Sequence, residues 1–196
     1  MAERGIASAE LIVGGQKSGK SRRAQDLAQA WLEGARGRRA VLIATAVATD
    51  DEMRQRIARH RVDRAQQLPG MVTLEEPFAL PECLVRHNDA DTLVVVDCLT
   101  LWLTNLQWPG HSALLPAESP GPDPVRAMAA LLAAIEDARG PVVLVSNEIG
   151  LGVIPIGRDV RAFVDALGLL NQRVGRVCAR VTLMAAGLPL YLKGAP

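Results

Sequence analysis

Cysteine is scarce in this chain of 196 residues: there are three, Cys83, Cys98 and Cys178, and none forms a C-x-x-C pair. An odd, scattered set excludes a disulfide framework and suits a reducing compartment. Net charge is nearly absent as well. Against 21 acidic residues stand 22 lysines and arginines, a formal +1, so no global field draws in nucleic acid or an anionic membrane. No apolar run approaches the roughly 20 residues of a membrane span. No apolar core of a secretory signal follows the charged segment Met1 to Glu10. Repeats and low-complexity stretches are missing too. What remains is an expectation of one cytosolic domain over residues 1–196, large enough to bury a full core.

The most informative stretch is Gly14-Gly15-Gln16-Lys17-Ser18-Gly19-Lys20-Ser21, a G-x-x-x-x-G-K-S phosphate loop. Leu11-Ile12-Val13 before it reads as a strand. Ala24, Leu27, Ala28 and Trp31 after it recur at helical spacing. Strand, glycine loop and helix are the context in which this motif cradles a nucleoside triphosphate. Backbone N–H groups and the helix dipole face the phosphates. Lys20 reaches the β- and γ-phosphates, and the Ser21 hydroxyl is a ligand for Mg²⁺.

Continuous apolar runs alternate with helical patterns down the chain, which predicts a parallel sheet covered on both faces. The strands expected are Val41–Ala46, Met71–Leu74, Leu93–Asp97 and Val142–Ser146, with a final pair over Val181–Ala185 and Leu188–Leu192. Leu93-Val94-Val95-Val96-Asp97 is four apolar residues ending in a carboxylate, the pattern that delivers a metal partner beside a phosphate loop. Helices are expected from Thr49 to about Gln66, over Leu80–His87 and Cys98–Leu106, from Asp123 or Pro124 to about Arg139, and over Arg158–Arg180. The proline-rich segment 107–124 reads as an exposed loop within the domain.

Thr49-Asp50-Asp51-Glu52 is a capping box. On the helix it opens, Met53, Ile57, His60 and Arg64 share one stripe. Arg54, Arg56, Arg59, Arg61 and Arg64 surround His60, and flanking cations keep an imidazole neutral near pH 7. Spacing alone favours a solvated basic face with an incidental histidine. Asn147-Glu148-Ile149-Gly150-Leu151-Gly152 follows a strand where open α/β sheets bind ligands. An ordinary strand-to-helix loop fits it equally well. Asn171-Gln172 gives no signal by itself.

Taken together, these blocks resemble the bifunctional adenosylcobinamide kinase / adenosylcobinamide-phosphate guanylyltransferases of cobalamin synthesis. The resemblance runs through Gly14–Ser21 with Arg22, Ile43-Ala44-Thr45, Asp50-Asp51-Glu52-Met53 with Arg56-Ile57 and His60-Arg61, and Thr73 with Glu75. It continues through Asp97–Trp102 with Thr104-Asn105-Leu106, Ser146-Asn147-Glu148 with Gly150, Gly152 and Pro155, then Arg161, Phe163, Asp165, Gly168 and Asn171-Gln172. The phosphate loop is generic, but the D-D-E-M…R-I…H-R and S-N-E-x-G-x-G blocks are specific. The loop itself departs slightly, with Gln16-Lys17 where the family often has a small residue and Arg.

The resemblance implies a RecA-type P-loop fold of the α/β class, with helices on both faces of a mostly parallel sheet and an antiparallel C-terminal edge. It implies phosphorylation of adenosylcobinamide by ATP or GTP. GMP is then transferred from GTP through a guanylyl-histidine, His60 here, to adenosylcobinamide phosphate, giving adenosylcobinamide-GDP and pyrophosphate. The implied nucleotide contacts are Gly14 to Ser21, Ala44, Thr45, Ala46, Arg61, Val62, Asp63, Arg64, Glu75 and Asp97. Lys20 is the implied catalytic cation, Ser21 and Asp97 the Mg²⁺ ligands, and Glu75 a partner for the guanine edge. A small homo-oligomer, such as a trimer, is also implied. Two other readings compete: a P-loop small-molecule kinase without guanylyl transfer, and a nucleotide-binding regulatory module without catalysis.

Overall fold

The computed structural model describes residues 5–48, 51, 54–55, 68, 70–108 and 121–195. Among them, seven strands form one sheet in the order β3-β2-β4-β5-β1-β6-β7. These are β1 (Ala9–Gly14), β2 (Arg39–Ala44), β3 (Met71–Glu75), β4 (Thr92–Asp97), β5 (Val142–Val145), β6 (Arg180–Ala185) and β7 (Leu188–Lys193). Every neighbouring pair is parallel except β6 with β7, which closes the edge as an antiparallel hairpin. The helices are α1 (Lys20–Gly34), α2 (Leu80–His87), α3 (Leu99–Gln107), α4 (Pro124–Glu136) and α5 (Arg158–Val177).

Burial on both faces explains the unbroken apolar runs. Successive strand residues point to opposite sides. In β1, Leu11 and Val13 enter a core with Trp102 and Leu103 of α3, Leu131 of α4, and Leu167 and Leu170 of α5. Ile12 enters the other core, with Ala24, Leu27, Ala28 and Trp31 of α1. This is the mostly parallel, doubly covered P-loop NTPase fold with the antiparallel edge that the sequence implies.

Several boundaries differ from expectation, each for a local reason. β2 stops at Ala44, two residues early, because the Thr45 hydroxyl turns to the Cys98 backbone, donating to its carbonyl at 2.7 Å and accepting from its N–H at 3.0 Å. α4 ends at Glu136, since Asn88 Oδ1 captures the N–H groups of Arg139 and Gly140 at 2.7 and 2.9 Å. Its start is as expected, with Asp123 capping the Val125 N–H. α5 ends at Val177, because Arg180 joins β6 and pairs there with Glu10. The helix expected from Thr49 lies mostly outside the described residues, as does most of the 107–124 segment. Of the former, Asp51, Arg54 and Gln55 are helical.

Candidate functional site

The phosphate loop leaves β1 at Gly14 and enters α1 at Lys20. Gly19 caps the helix at φ +101°, a conformation that L side chains rarely adopt. The free N–H groups of the first turn of α1 therefore open onto the loop. Gly15, Gln16 and Lys17 are exposed, whereas Lys20 is buried. Its ammonium donates to the Gly15 carbonyl at 2.6 Å, so it lies across the loop it serves. The β6–β7 turn braces the loop from outside, with the Gly187 N–H donating to the Ser18 carbonyl at 3.0 Å.

Strand register sets the carboxylates. Glu75, Ala44 and Asp97 lie level at the carboxyl ends of β3, β2 and β4, and Val145 of β5 continues the row to Ile12 of β1. Ala44, Val145 and Ile12 all pack on the α1 side. By the alternation of strand side chains, Asp97 and Glu75 face that side too, where α1 begins with Lys20 and Ser21. Sequence reasoning placed these residues on separate elements, and the fold brings their ends to one edge. Ala46 follows at the same edge, half-buried.

Between the loop and Asp97 runs a hydrogen-bonded frame whose bonds sequence reasoning did not anticipate. The Asn147 N–H donates to Thr100 Oγ1 at 2.9 Å, and its carbonyl accepts from Asn171 Nδ2 at 3.0 Å. The next N–H, of Glu148, donates to the Gly14 carbonyl at 3.1 Å. Asn105 Nδ2 reaches the carbonyls of Thr45 and Pro77 at 2.8 and 3.1 Å. The tip of β5 is thus fixed to the phosphate loop on one side and to α3 and α5 on the other. One signal was available: Asn171 follows Leu170 and lies four residues past Leu167, so it borders a buried stripe where an amide needs a reason.

Electrostatics separate the groups. Burial holds the Lys20 ammonium below the usual lysine range, with Cys98 and then Asp97 pulling it back up. Burial, reinforced by Asp97, pushes the Cys98 thiol up to about 11, so it is neutral at pH 7. Beneath the loop, Glu10 of β1 is buried with Arg180 Nη1 at 3.1 Å, the Thr182 hydroxyl at 2.8 Å and Arg23 Nη2 at 3.8 Å. His60, Arg61, Val62, Asp63 and Arg64 lie outside the described residues.

Three comparisons bear on this site. The family model described as cobinamide kinase / cobinamide phosphate guanyltransferase matches residues 10–192. The bifunctional adenosylcobalamin biosynthesis protein CobP of Pseudomonas aeruginosa is 45% identical over 187 residues, covering 95% of this chain and 98% of its own. The corresponding protein CobU of Escherichia coli is 32% identical, covering 93% and 98%. Among solved structures, the flagellar accessory protein FlaH of Methanocaldococcus jannaschii superimposes with a TM-score of 0.51 over 97% of this chain and 80% of its own. At 13% identity it shares the fold alone.

Proposed function

The chain belongs to the cobinamide kinase / cobinamide phosphate guanyltransferase family, a family of transferases in cobalamin biosynthesis, and from that premise we propose that it catalyses both reactions in one nucleotide site. The observation that carries this reading is that one carboxyl edge of the sheet carries Asp97 and Glu75 on the side where α1 begins with Lys20 and Ser21.

In the kinase step the aminopropanol hydroxyl of adenosylcobinamide attacks the γ-phosphorus of ATP or GTP. The bond from that phosphorus to the β-bridging oxygen breaks, the nucleoside diphosphate leaves, and the hydroxyl proton is released to water. Residues Gly14 to Ser21 hold the triphosphate through backbone N–H groups, and Lys20 offsets the charge that builds on the bridging oxygen. In the second step His60 attacks the α-phosphorus of GTP. A P–N bond forms and the P–O bond to pyrophosphate breaks. A phosphate oxygen of adenosylcobinamide phosphate then takes the GMP, and the P–N electron pair returns to the imidazole.

Ala44, Thr45 and Ala46 border the nucleotide, Arg61 to Arg64 flank the guanylate, and the Glu75 carboxylate accepts from guanine N1–H and N2–H₂. The hydroxyl of Ser21 and the carboxylate of Asp97 are hard oxygen donors. They suit Mg²⁺, which takes one or two protein oxygens and completes its shell with phosphate and water. Bound there, the ion would neutralise phosphate charge. The protein would work in the cytoplasm as a small homo-oligomer, with a trimer among the options.

GTP labelled at the α-phosphate tests the reading. Incubated with Mg²⁺ and the protein, it should leave an acid-labile, base-stable label that His60→Ala abolishes. Adding adenosylcobinamide phosphate should discharge it. Label persisting in His60→Ala would remove His60 from the mechanism. Turnover of γ-phosphate with no label at all would instead favour the plain kinase.

A further inference from the structure

β5 ends at Val145, yet its ladder to β1 runs on. The Val142 N–H donates to the Ser8 carbonyl at 3.0 Å, the Ser146 N–H to that of Ile12 at 2.9 Å and the Glu148 N–H to that of Gly14 at 3.1 Å. Donors and acceptors advance in equal steps, as in a regular parallel ladder. The chain therefore stays extended through Glu148, and its side chains go on alternating. Val143 and Val145 pack on the α1 side, Val142 and Leu144 on the other. Asn147 thus turns to the side on which the phosphate loop enters α1, while Ser146 and Glu148 turn away.

Register fixes its height. Val145 is level with Ile12 and Asp97. Asn147 is then level with Gly14 and stands two residues, about 7 Å, beyond Asp97 on the ligand side of the sheet. Its main chain is held on both sides, the N–H by Thr100 Oγ1 at 2.9 Å and the carbonyl by Asn171 Nδ2 at 3.0 Å. Its half-buried carboxamide, by contrast, makes no hydrogen bond among the described residues. The Glu148 carboxylate is occupied in its own turn, with Oε1 accepting from the Gly150 N–H at 3.0 Å. Four main-chain bonds over three residues hold in place one amide with nothing yet to bind, the arrangement of a preorganised donor.

We propose that Asn147 donates through its Nδ2–H to an oxygen of the γ-phosphoryl group and serves the kinase step alone. The proposal rests on the two-step reading above and divides its two reactions between residues. A phosphoryl oxygen has no proton to give, so it takes the amino half of the carboxamide. The loop and Lys20 grip the β- and γ-phosphates from β1 and α1, and Asp97 faces the same group from β4. β5 is the strand between β1 and β4. Glu75, the guanine partner on this reading, is on β3, three strands from β5 or about 14 Å. The α-phosphorus that His60 attacks therefore lies on the side away from Asn147. In the kinase step the acceptor oxygen bonds to the γ-phosphorus and the bond to the β-bridging oxygen breaks. Asn147 holds one equatorial oxygen while both happen.

The test compares the native chain with Asn147→Ala and Asn147→Asp, which leave the main-chain bonds in place. Calorimetry with Mg²⁺ should show the GTP Kd rising about tenfold in Asn147→Ala. It should rise further in Asn147→Asp, whose carboxylate repels phosphate, and the GDP Kd should not change in either. The kcat for phosphorylation of adenosylcobinamide should fall about 100-fold. Protein labelling by α-labelled GTP, at saturating GTP, should reach its native extent. Unchanged GTP affinity and kcat in both variants would overturn the proposal. Equal losses of GTP and GDP affinity would overturn it too, because they assign Asn147 to holding the loop and not to the γ-phosphate. A native chain that phosphorylates no adenosylcobinamide would sink the two-step reading instead. The comparison of GTP with GDP needs no corrinoid and would still judge Asn147.

Discussion

Two glycines with positive φ face each other where the β6–β7 turn meets the phosphate loop, and an alanine at each should have unequal cost. Gly19 has φ +101° and Gly187 has φ +79°. An L residue in this region costs about 1–2 kcal/mol whatever its surroundings. A Cβ at Gly187 meets nothing within 4 Å, so strain is the whole penalty. A Cβ at Gly19 lies 3.1 Å from the Gly187 Cα. Backbone must then give way on both sides, adding an overpacking penalty of about 1–3 kcal/mol. Central values are about 1.5 kcal/mol for Gly187→Ala and about 3.5 kcal/mol for Gly19→Ala. At about 3 °C per kcal/mol for a domain of this size, the melting temperature should fall by about 4–5 °C and about 10 °C respectively. Nucleotide affinity should separate the two further. Only Gly19→Ala moves the amides that face phosphate, and a tenfold or greater rise in the GTP Kd is expected, about 1.4 kcal/mol. Thermal scans and isothermal titration calorimetry give both quantities. Equal losses of stability in the two variants would refute the packing of the turn on the loop.

Asn171→Leu should lower stability by about 1–3 kcal/mol in urea titrations, because it leaves the Asn147 carbonyl without its donor. A loss below about 0.5 kcal/mol would remove Asn171 from the frame. The thiols should be inert in the native state. Burial pushes Cys98 to about 11 and Cys178 to about 12, and it also raises Cys83. Iodoacetamide at pH 8 should therefore modify them only after unfolding, as mass spectrometry would show. Lys20 gives a pH dependence. Burial lowers its pKa, while bound phosphates favour the ammonium. Triphosphate binding should take up a proton once the pH exceeds the lowered value. Affinity should then weaken as pH rises through that value, which calorimetry in buffers of different ionisation enthalpy would detect. Lys20→Met should abolish the effect.

Local chemistry made much of the fold legible. Apolar runs bounded by glycine and proline marked the strands, and Asp97 was found because its strand ends in a carboxylate. The capture of Arg139 and Gly140 by Asn88, and the turn of Thr45 toward Cys98, were not legible. Each depends on a residue about 50 positions away. The same limit hid Thr100 and Asn171, whose partners exist only once the sheet is ordered. Glu10 was read as part of a charged segment, Met1 to Glu10, yet it is buried in β1. Its counter-charge on Arg180 lies 170 residues further on, beyond any pattern in a local window.

That last pairing has a consequence for how the chain is made. The strand that opens the phosphate loop has β5 and β6 as its neighbours, both from the C-terminal half. Its buried carboxylate is paired with Arg180, 170 residues further on, and its loop is propped by the β6–β7 turn. The motif is made well before its supports, which lie about 130 to 170 residues further along the chain. A chain interrupted before β5, β6 and the β6–β7 turn would carry the motif without the strands and the turn that hold it in place.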